Sequence, residues 1–452
     1  MSLSDRLNHP EANRANSFPH LPSLTNEFES EFSATDYSSI KEDVHKQLIN
    51  VLGQQLYEGE LDTRTLEKYV FESISRVIVA SDHPLTAIDR ANLMQEIVDE
   101  ILGLGPLQPL LRDGDVSEIM VNSFDRIYIE KNGKITKTNY VFGSEEHLRR
   151  TIDRIVARIG RRIDESSPLV DARLADGSRV HAVIPPIALD GSSLTIRKFA
   201  SDPFTVKDMV ATGTFSTAAM EFMAGCVEGK CNILISGGTG SGKTTTLNVL
   251  SSFIPPNERI ITIEDAAELQ LKQPHVVRLE SRPSNVEGKG MVSIRELVRN
   301  TLRMRPDRII VGEVRDAAAL DMLQAMNTGH DGSITTVHAN SPQEALLRIE
   351  TLVLMAGIEL PTAVIREQMS QALDLIIQQS RLRDGSRQIT SISEVTGIVG
   401  GEVQTNEIFK FIYMDVPNSR ALGKLLPTGN VPNFLLKLAQ RGIQIRETLF
   451  QP

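Results

Sequence analysis

Asn232-Ile-Leu-Ile-Ser-Gly-Gly-Thr-Gly-Ser-Gly-Lys-Thr-Thr-Thr-Leu-Asn-Val-Leu250 decides the fold. An apolar strand runs into G-x-x-x-x-G-K-[ST] at residues 237–244, and a helix leaves it. Glycines at Gly238, Gly240 and Gly242, with Thr239 and Ser241 between them, let the backbone curl so that successive N–H groups converge on a polyanion. The helix starting near Lys243 adds the positive end of its dipole. Lys243 is placed to reach β- and γ-phosphates, the Thr244 hydroxyl to meet Mg²⁺, and Thr245 closes the cradle. The stretch predicts a nucleoside-triphosphate site that takes ATP with Mg²⁺.

Around this stretch, 452 residues give room for two to four domains. The net charge of −10, the absence of Trp and an aromatic content of 5% speak against the basic grooves and stacking platforms of nucleic-acid binders. Cys226 and Cys231, the two cysteines, flank a predicted helix-to-strand join and read as buried small hydrophobes in a reducing compartment. No run of 18 apolar residues occurs and the N-terminus lacks a signal peptide's apolar core, which predicts a soluble cytoplasmic protein that docks on a membrane through partners.

Residues 1–38, rich in serine and acids with scattered Pro and Asn, predict a disordered arm. From Ile40 the spacing turns helical, through Val44, Leu48, Val51, Leu52 and Leu56, and similar stretches at 63–80 and 86–102 predict a small helical bundle over 39–103. Thr86-x-x-Asp89 opens the last as a capping box. Residues 104–202 read as an α+β domain. Its strands are Glu118–Val121, Arg126–Glu130, Lys134–Thr138, Ala172–Ala175, Arg179–Val183 and Ser193–Arg197, with a hairpin turn at Asn132-Gly133 and a helix at 145–160. From 203 to 452, apolar strands alternate with helices and predict a mostly parallel sheet covered on both faces. Antiparallel strands over 388–412 and a terminal helix at 431–447 complete the reading.

Acidic residues recur where strands end. The strand Arg308–Glu313 delivers Glu313 to the edge that holds the phosphate loop, in place of the usual magnesium aspartate, which shifts it toward activating water. Ile261-Thr-Ile-Glu-Asp-Ala-Ala-Glu268 brings Glu264 and Asp265 to the same edge, within reach of a metal's water shell; Glu268 reads equally as an acid at a helix N-terminus. His330 and His338 bracket the strand of Thr328–Asn340, where a neutral imidazole can sense a γ-phosphate or serve as an ordinary structural hydrogen-bonder.

In order and spacing these four elements resemble the secretion-ATPase superfamily of ring motors, over about residues 100–400. The resemblance implies a RecA-like P-loop ATPase domain, an N-terminal α+β domain of PAS-like kind and a helical N-terminal extension. It implies a homo-hexamer peripheral to the inner membrane, working with membrane platform proteins, with Glu313 as general base and Glu264 assisting metal and water. Arginines of the smaller domain or of a neighbouring subunit complete such sites, and Arg173, Arg179 and Arg197 are the candidates. Residues near 200–206 would be the hinge. No tetracysteine insert follows the Glu313 strand, and Met291–Arg295, Leu302–Arg308 and the Ala172–His181 hairpin look like the CpaF/TadA type, motors of the tight-adherence (Tad) pilus. A motor of another type II or type IV secretion system, a nucleic-acid translocase and a nucleotide-gated scaffold are the alternatives.

Overall fold

The computed structural model describes residues 86–101, 103–131, 133–199, 204–284, 289–413 and 423–451, together with Glu72, Ser75 and Arg76. The predicted arm at 1–38, most of the predicted bundle at 39–103 and the hinge positions 200–203 lie outside the described residues. The chain divides into two compact units, Met1–Pro109 and Leu110–Pro452. The first contributes α1 (Ala87–Ile101), which buries Leu93 and Ile97; α2 (Gln108–Arg112) crosses the boundary.

The second unit holds two sheets. The smaller is antiparallel throughout, in the order β3-β2-β1-β6-β5-β4, from β1 (Val116–Ser123), β2 (Arg126–Lys131), β3 (Lys134–Lys137), β4 (Leu169–Arg173), β5 (Arg179–Val183) and β6 (Ser193–Arg197). Alternation of apolar and polar residues buries Ile119, Val121, Val180, Ala182, Leu194 and Ile196 on one face. Helix α3 (Glu145–Ala157) is capped by the Ser144 hydroxyl, which accepts from His147 N at 3.2 Å. It stops short of the predicted residue 160, where Gly160 takes a positive φ of 67°.

The larger sheet has nine strands in the order β15-β14-β13-β12-β7-β11-β10-β8-β9. Six are parallel: β7 (Ile233–Gly237), β8 (Ile260–Glu264), β9 (Val276–Glu280), β10 (Arg308–Val311), β11 (Ile334–Val337) and β12 (Leu375–Arg381). Antiparallel β13 (Arg387–Val399), β14 (Glu402–Tyr413) and β15 (Gly423–Pro427) extend one edge. Helices α4 (Val206–Ala211), α5 (Thr217–Glu228), α6 (Lys243–Ser251), α7 (Ile294–Thr301), α8 (Ala318–Asn327), α9 (Pro342–Leu354) and α10 (Thr362–Ala372) contribute to two apolar clusters that include opposite-facing residues of the same strands, such as Ile233 and Leu234. Central strands buried on both faces explain the unbroken apolar runs in the sequence.

Asn232 aligns the start of the parallel core. Its Oδ1 accepts from Gly332 N (2.8 Å) and Ser333 N (3.0 Å) ahead of β11, and its Nδ2 donates to Ala372 O (2.7 Å) ahead of β12. The predicted terminal helix is shorter than expected. α11 (Leu435–Gln440) ends before Gly442, whose φ of 83° helices do not continue through, and the chain closes with a 3₁₀ turn at Glu447–Phe450. Strands β9 and β15 went unread in the sequence because neither is a long apolar run: both are edge strands, half-exposed.

Candidate nucleotide-binding site

Strand β7 ends at Gly237, and the loop from Gly238 to Gly242 turns into α6. Gly240 (φ 69°) and Gly242 (φ 97°) occupy the left-handed region, which explains glycine at both positions. A Cβ on Gly237 would collide with the Gln379 carbonyl of the neighbouring β12. The Gln379 side chain also accepts from the Thr246 hydroxyl at 2.9 Å, so β12 braces both ends of the loop. Gly238, Thr239, Gly240, Ser241 and Gly242 thus make the loop, and Lys243, Thr244 and Thr245 open the nine-residue helix that follows it.

Lys243 is 7% exposed, and its ammonium donates to the carbonyls of Gly237 (3.0 Å) and Gly238 (2.9 Å). Burial lowers its pKa, opposed by the nearby Glu313 carboxylate. His338, just past the end of β11, sets its Nδ1 3.3 Å from Lys243 Nζ and its Nε2 3.1 Å from Glu313 Oε1. Burial, with the Lys243 charge next, lowers the imidazole pKa. A neutral ring whose Nδ1 accepts from the ammonium and whose Nε2–H donates to the carboxylate satisfies both contacts.

Glu313 follows β10. Gly312 N donates to Ile263 O at 2.8 Å and Val314 N to Thr336 O at 3.0 Å, so the main chain is pinned on both sides of it. Its second oxygen accepts from Arg315 at 2.9 Å, and Arg315 reaches Asp265 at 3.3 Å. Asp265 also accepts from the Ser281 hydroxyl at 2.6 Å. At the end of β8, Glu264 is 3% exposed. Its Oε2 accepts from Glu268 N (2.7 Å) and Leu269 N (2.9 Å), which fixes the turn after β8. Its Oε1 is buried without a protein partner. Burial raises the carboxyl pKa despite the two amides.

These groups line one cleft of about 360 Å³, which Arg179, Arg197 and Arg387 also reach. Among the described residues no group of three or more His, Cys, Asp or Glu side chains could cage a metal ion. A cation here would therefore draw most of its ligands from phosphate and water, as Mg²⁺ does in such sites. The orphaned Glu264 Oε1 suits a metal-bound or attacking water, and Thr244 at the helix head suits the ion itself.

Three of the predicted residues sit away from where the sequence reading put them. His330 lies at the N-terminal end of β11, the opposite edge of the sheet from His338, and its carbonyl accepts from the Ser333 hydroxyl (2.8 Å); it does not join the cleft. Arg173 pairs with Glu280 at 2.8 Å and lines neighbouring hollows instead. Glu268 heads no helix, because residues 266–275 have no regular structure; its carboxylate lies 3.9 Å from Arg197. Arg315 and Arg387 were missed. Two-residue spacing from Glu313 was the available signal for Arg315, whereas Arg387 arrives from a strand 147 positions beyond Gly240.

Residues 100–407 match the family described as type II/IV secretion system protein. A Mycobacterium tuberculosis protein named for conjugal transfer, MT3759, is 38% identical over 300 residues, spanning 65% of this chain and 85% of its own. The type IV secretion system protein VirB11 of Bartonella quintana is 33% identical over 329 residues, 64% of this chain and 91% of its own. Among solved structures, the VirB11 ATPase of the Brucella suis type IV secretion system, in complex with sulphate, is 30% identical with a TM-score of 0.35, over 64% of this chain and 94% of that one. With more than half of its length matched, this chain belongs to the type II/IV secretion system protein family.

Proposed function

We propose that this chain is an ATP-hydrolysing motor, assembled as a homo-hexamer at the cytoplasmic face of a membrane whose secretion or pilus platform it drives. The observation that carries the reading is the chain of contacts from Lys243 through His338 to Glu313, set at the mouth of the phosphate loop. Lys243 and the loop amides would hold the β- and γ-phosphates. Thr244, with Glu313 and Asp265 at the water shell, would hold Mg²⁺, whose charge offsets that of the transferring phosphoryl group. Glu313 would take the proton of the attacking water, and Glu264 Oε1 would orient that water. Arg179 and Arg197 would stabilise charge on the phosphoryl oxygens.

We read the parts as a helical extension to residue 103, a PAS-like domain over 104–202 and a RecA-like motor domain over 203–452. Within the family we favour the tight-adherence pilus motor. The reading rests on Met291–Arg295, Leu302–Arg308 and the Ala172–His181 hairpin, and on the absence of four cysteines after the Glu313 strand. Similarity to proteins named for conjugal transfer and type IV secretion supports the second reading, a motor of one of those machines. Turnover of ATP by the purified chain tests the enzyme. Deleting the gene and following labelled pili alongside conjugation and effector secretion separates the two assignments.

A further inference from the structure

β12 and β13 form an antiparallel hairpin beside the phosphate loop, and Arg381 on one strand stands opposite Arg387 on the other. Like charges directly opposed across two strands destabilise the pair. Among the described residues no carboxylate pairs with either. Arg387 Nε donates to Gly240 O of the phosphate loop at 3.1 Å, and Arg381 Nη2 donates to Gly133 O at the tip of the β2–β3 turn at 2.9 Å. The nearest acid on the hairpin, Asp384, accepts instead from Ser386 N and Oγ.

A guanidinium has five donors in a planar fork suited to phosphate oxygens, and a single main-chain carbonyl engages one of them here. Arg387 already lies in the cleft, its Cδ 3.3 Å from where a Cβ on Gly242 would stand. The Thr214 hydroxyl donates to Arg387 O at 2.9 Å, so the strand that carries it is tied to the motor core. The hairpin thus brings two opposed positive charges, without a counter-charge among the described residues, to a loop built for a polyanion.

We propose that Arg387 is a phosphate-binding residue of the nucleotide site, supplied by the same chain, that rests on the Gly240 carbonyl and transfers its free donors to the phosphates on binding. Arg381 reinforces the local field and links it to the β2–β3 turn. The inference rests on the nucleotide-binding reading of the cleft.

The test is a fluorescent-ATP and fluorescent-ADP titration of the full chain, with inorganic tripolyphosphate as competitor, for wild type, Arg387→Gln, Arg387→Lys and Lys243→Ala. Gln keeps a donor for the Gly240 carbonyl and loses the charge. Arg387→Gln is expected to melt at the wild-type temperature without ligand, yet bind ATP, ADP and tripolyphosphate about tenfold or more weakly. Its affinity should also depend less on salt, and Arg387→Lys should recover part of the loss. Wild-type affinity in Arg387→Gln would overturn the inference while loss in Lys243→Ala left the nucleotide site standing. Early melting and equal weakening in both Arg387 variants would reduce Arg387 to a prop for the loop. A wild-type chain that binds none of the three probes would overturn the nucleotide reading itself, and this inference with it.

Discussion

His338 stands between Lys243 and Glu313, 3.3 Å from the ammonium by one ring nitrogen and 3.1 Å from the carboxylate by the other. The residue proposed to grip phosphate and the one proposed to handle water are therefore joined by one imidazole. Its strand, β11, lies directly between β7, which leads into the phosphate loop, and β10, which leads to Glu313.

Grip and chemistry should separate by mutation. Lys243→Ala removes the charge that meets the phosphates and should lose most nucleotide affinity and all turnover. Glu313→Gln keeps shape but takes no proton; it should bind ATP within a few-fold of wild type and turn over at least 100-fold more slowly. A fluorescent-nucleotide titration beside a phosphate-release assay reads both. Equal loss of binding in the two variants would refute the division.

His338 should make the site sensitive to acid. Its pKa is lowered from about 6.5, so the folded state favours the neutral ring. The stabilisation is complete above the ordinary imidazole value and is lost as pH falls below it, because the unfolded chain takes up the proton first. Turnover should decline over the same acid range, since a protonated ring no longer accepts from Lys243. His338→Gln should flatten that limb of the profile; an unchanged acid limb would assign it to another group.

Glu264 has a structural oxygen and a free one. Glu264→Ala strands two amides, of Glu268 and Leu269, and should cost about 2–4 kcal/mol in denaturant unfolding. Glu264→Gln retains a carbonyl oxygen for both amides and should stay within about 1 kcal/mol of wild type while turnover falls at least tenfold. Full activity in Glu264→Gln would confine the residue to the turn.

Arg179 and Arg197 line the cleft of their own chain. Arg179→Ala and Arg197→Ala should each reduce turnover more than Arg173→Ala, whose side chain is engaged by Glu280. Mixed assemblies of Arg179→Ala with Glu313→Gln subunits should show only the average of the two parents, because completion within one chain leaves no repaired site. Activity above that average, with mixing verified by mass, would move the arginine to a neighbouring subunit's site.

The phosphate loop and its strand and helix were legible because glycine spacing, an apolar run and the lysine report local geometry that tertiary context does not override. Glu313 and Glu264 were legible for a related reason: parallel strands deliver their C-terminal ends to one edge, so an acid after an apolar run has few places to go. His330 misled because sequence proximity to a strand does not say which end of it faces the ligand. Arg387 was invisible, since its place beside Gly240 depends on the pairing of β12 with both β7 and β13. Glu268 heads no helix because its amide and that of Leu269 turn to the Glu264 carboxylate instead.

Arg173–Glu280, Arg197–Glu268 and Arg381–Gly133 join the antiparallel sheet to the larger one, and neither of the large apolar clusters contains a residue of the smaller sheet. Such a joint behaves like a wet bearing. Parting it would rehydrate charges and leave the apolar clusters of the larger sheet sealed, so a slide of one sheet over the other would cost far less than unfolding either. Added salt should loosen such a joint, and a multiply charged ligand beside it would be the natural throttle.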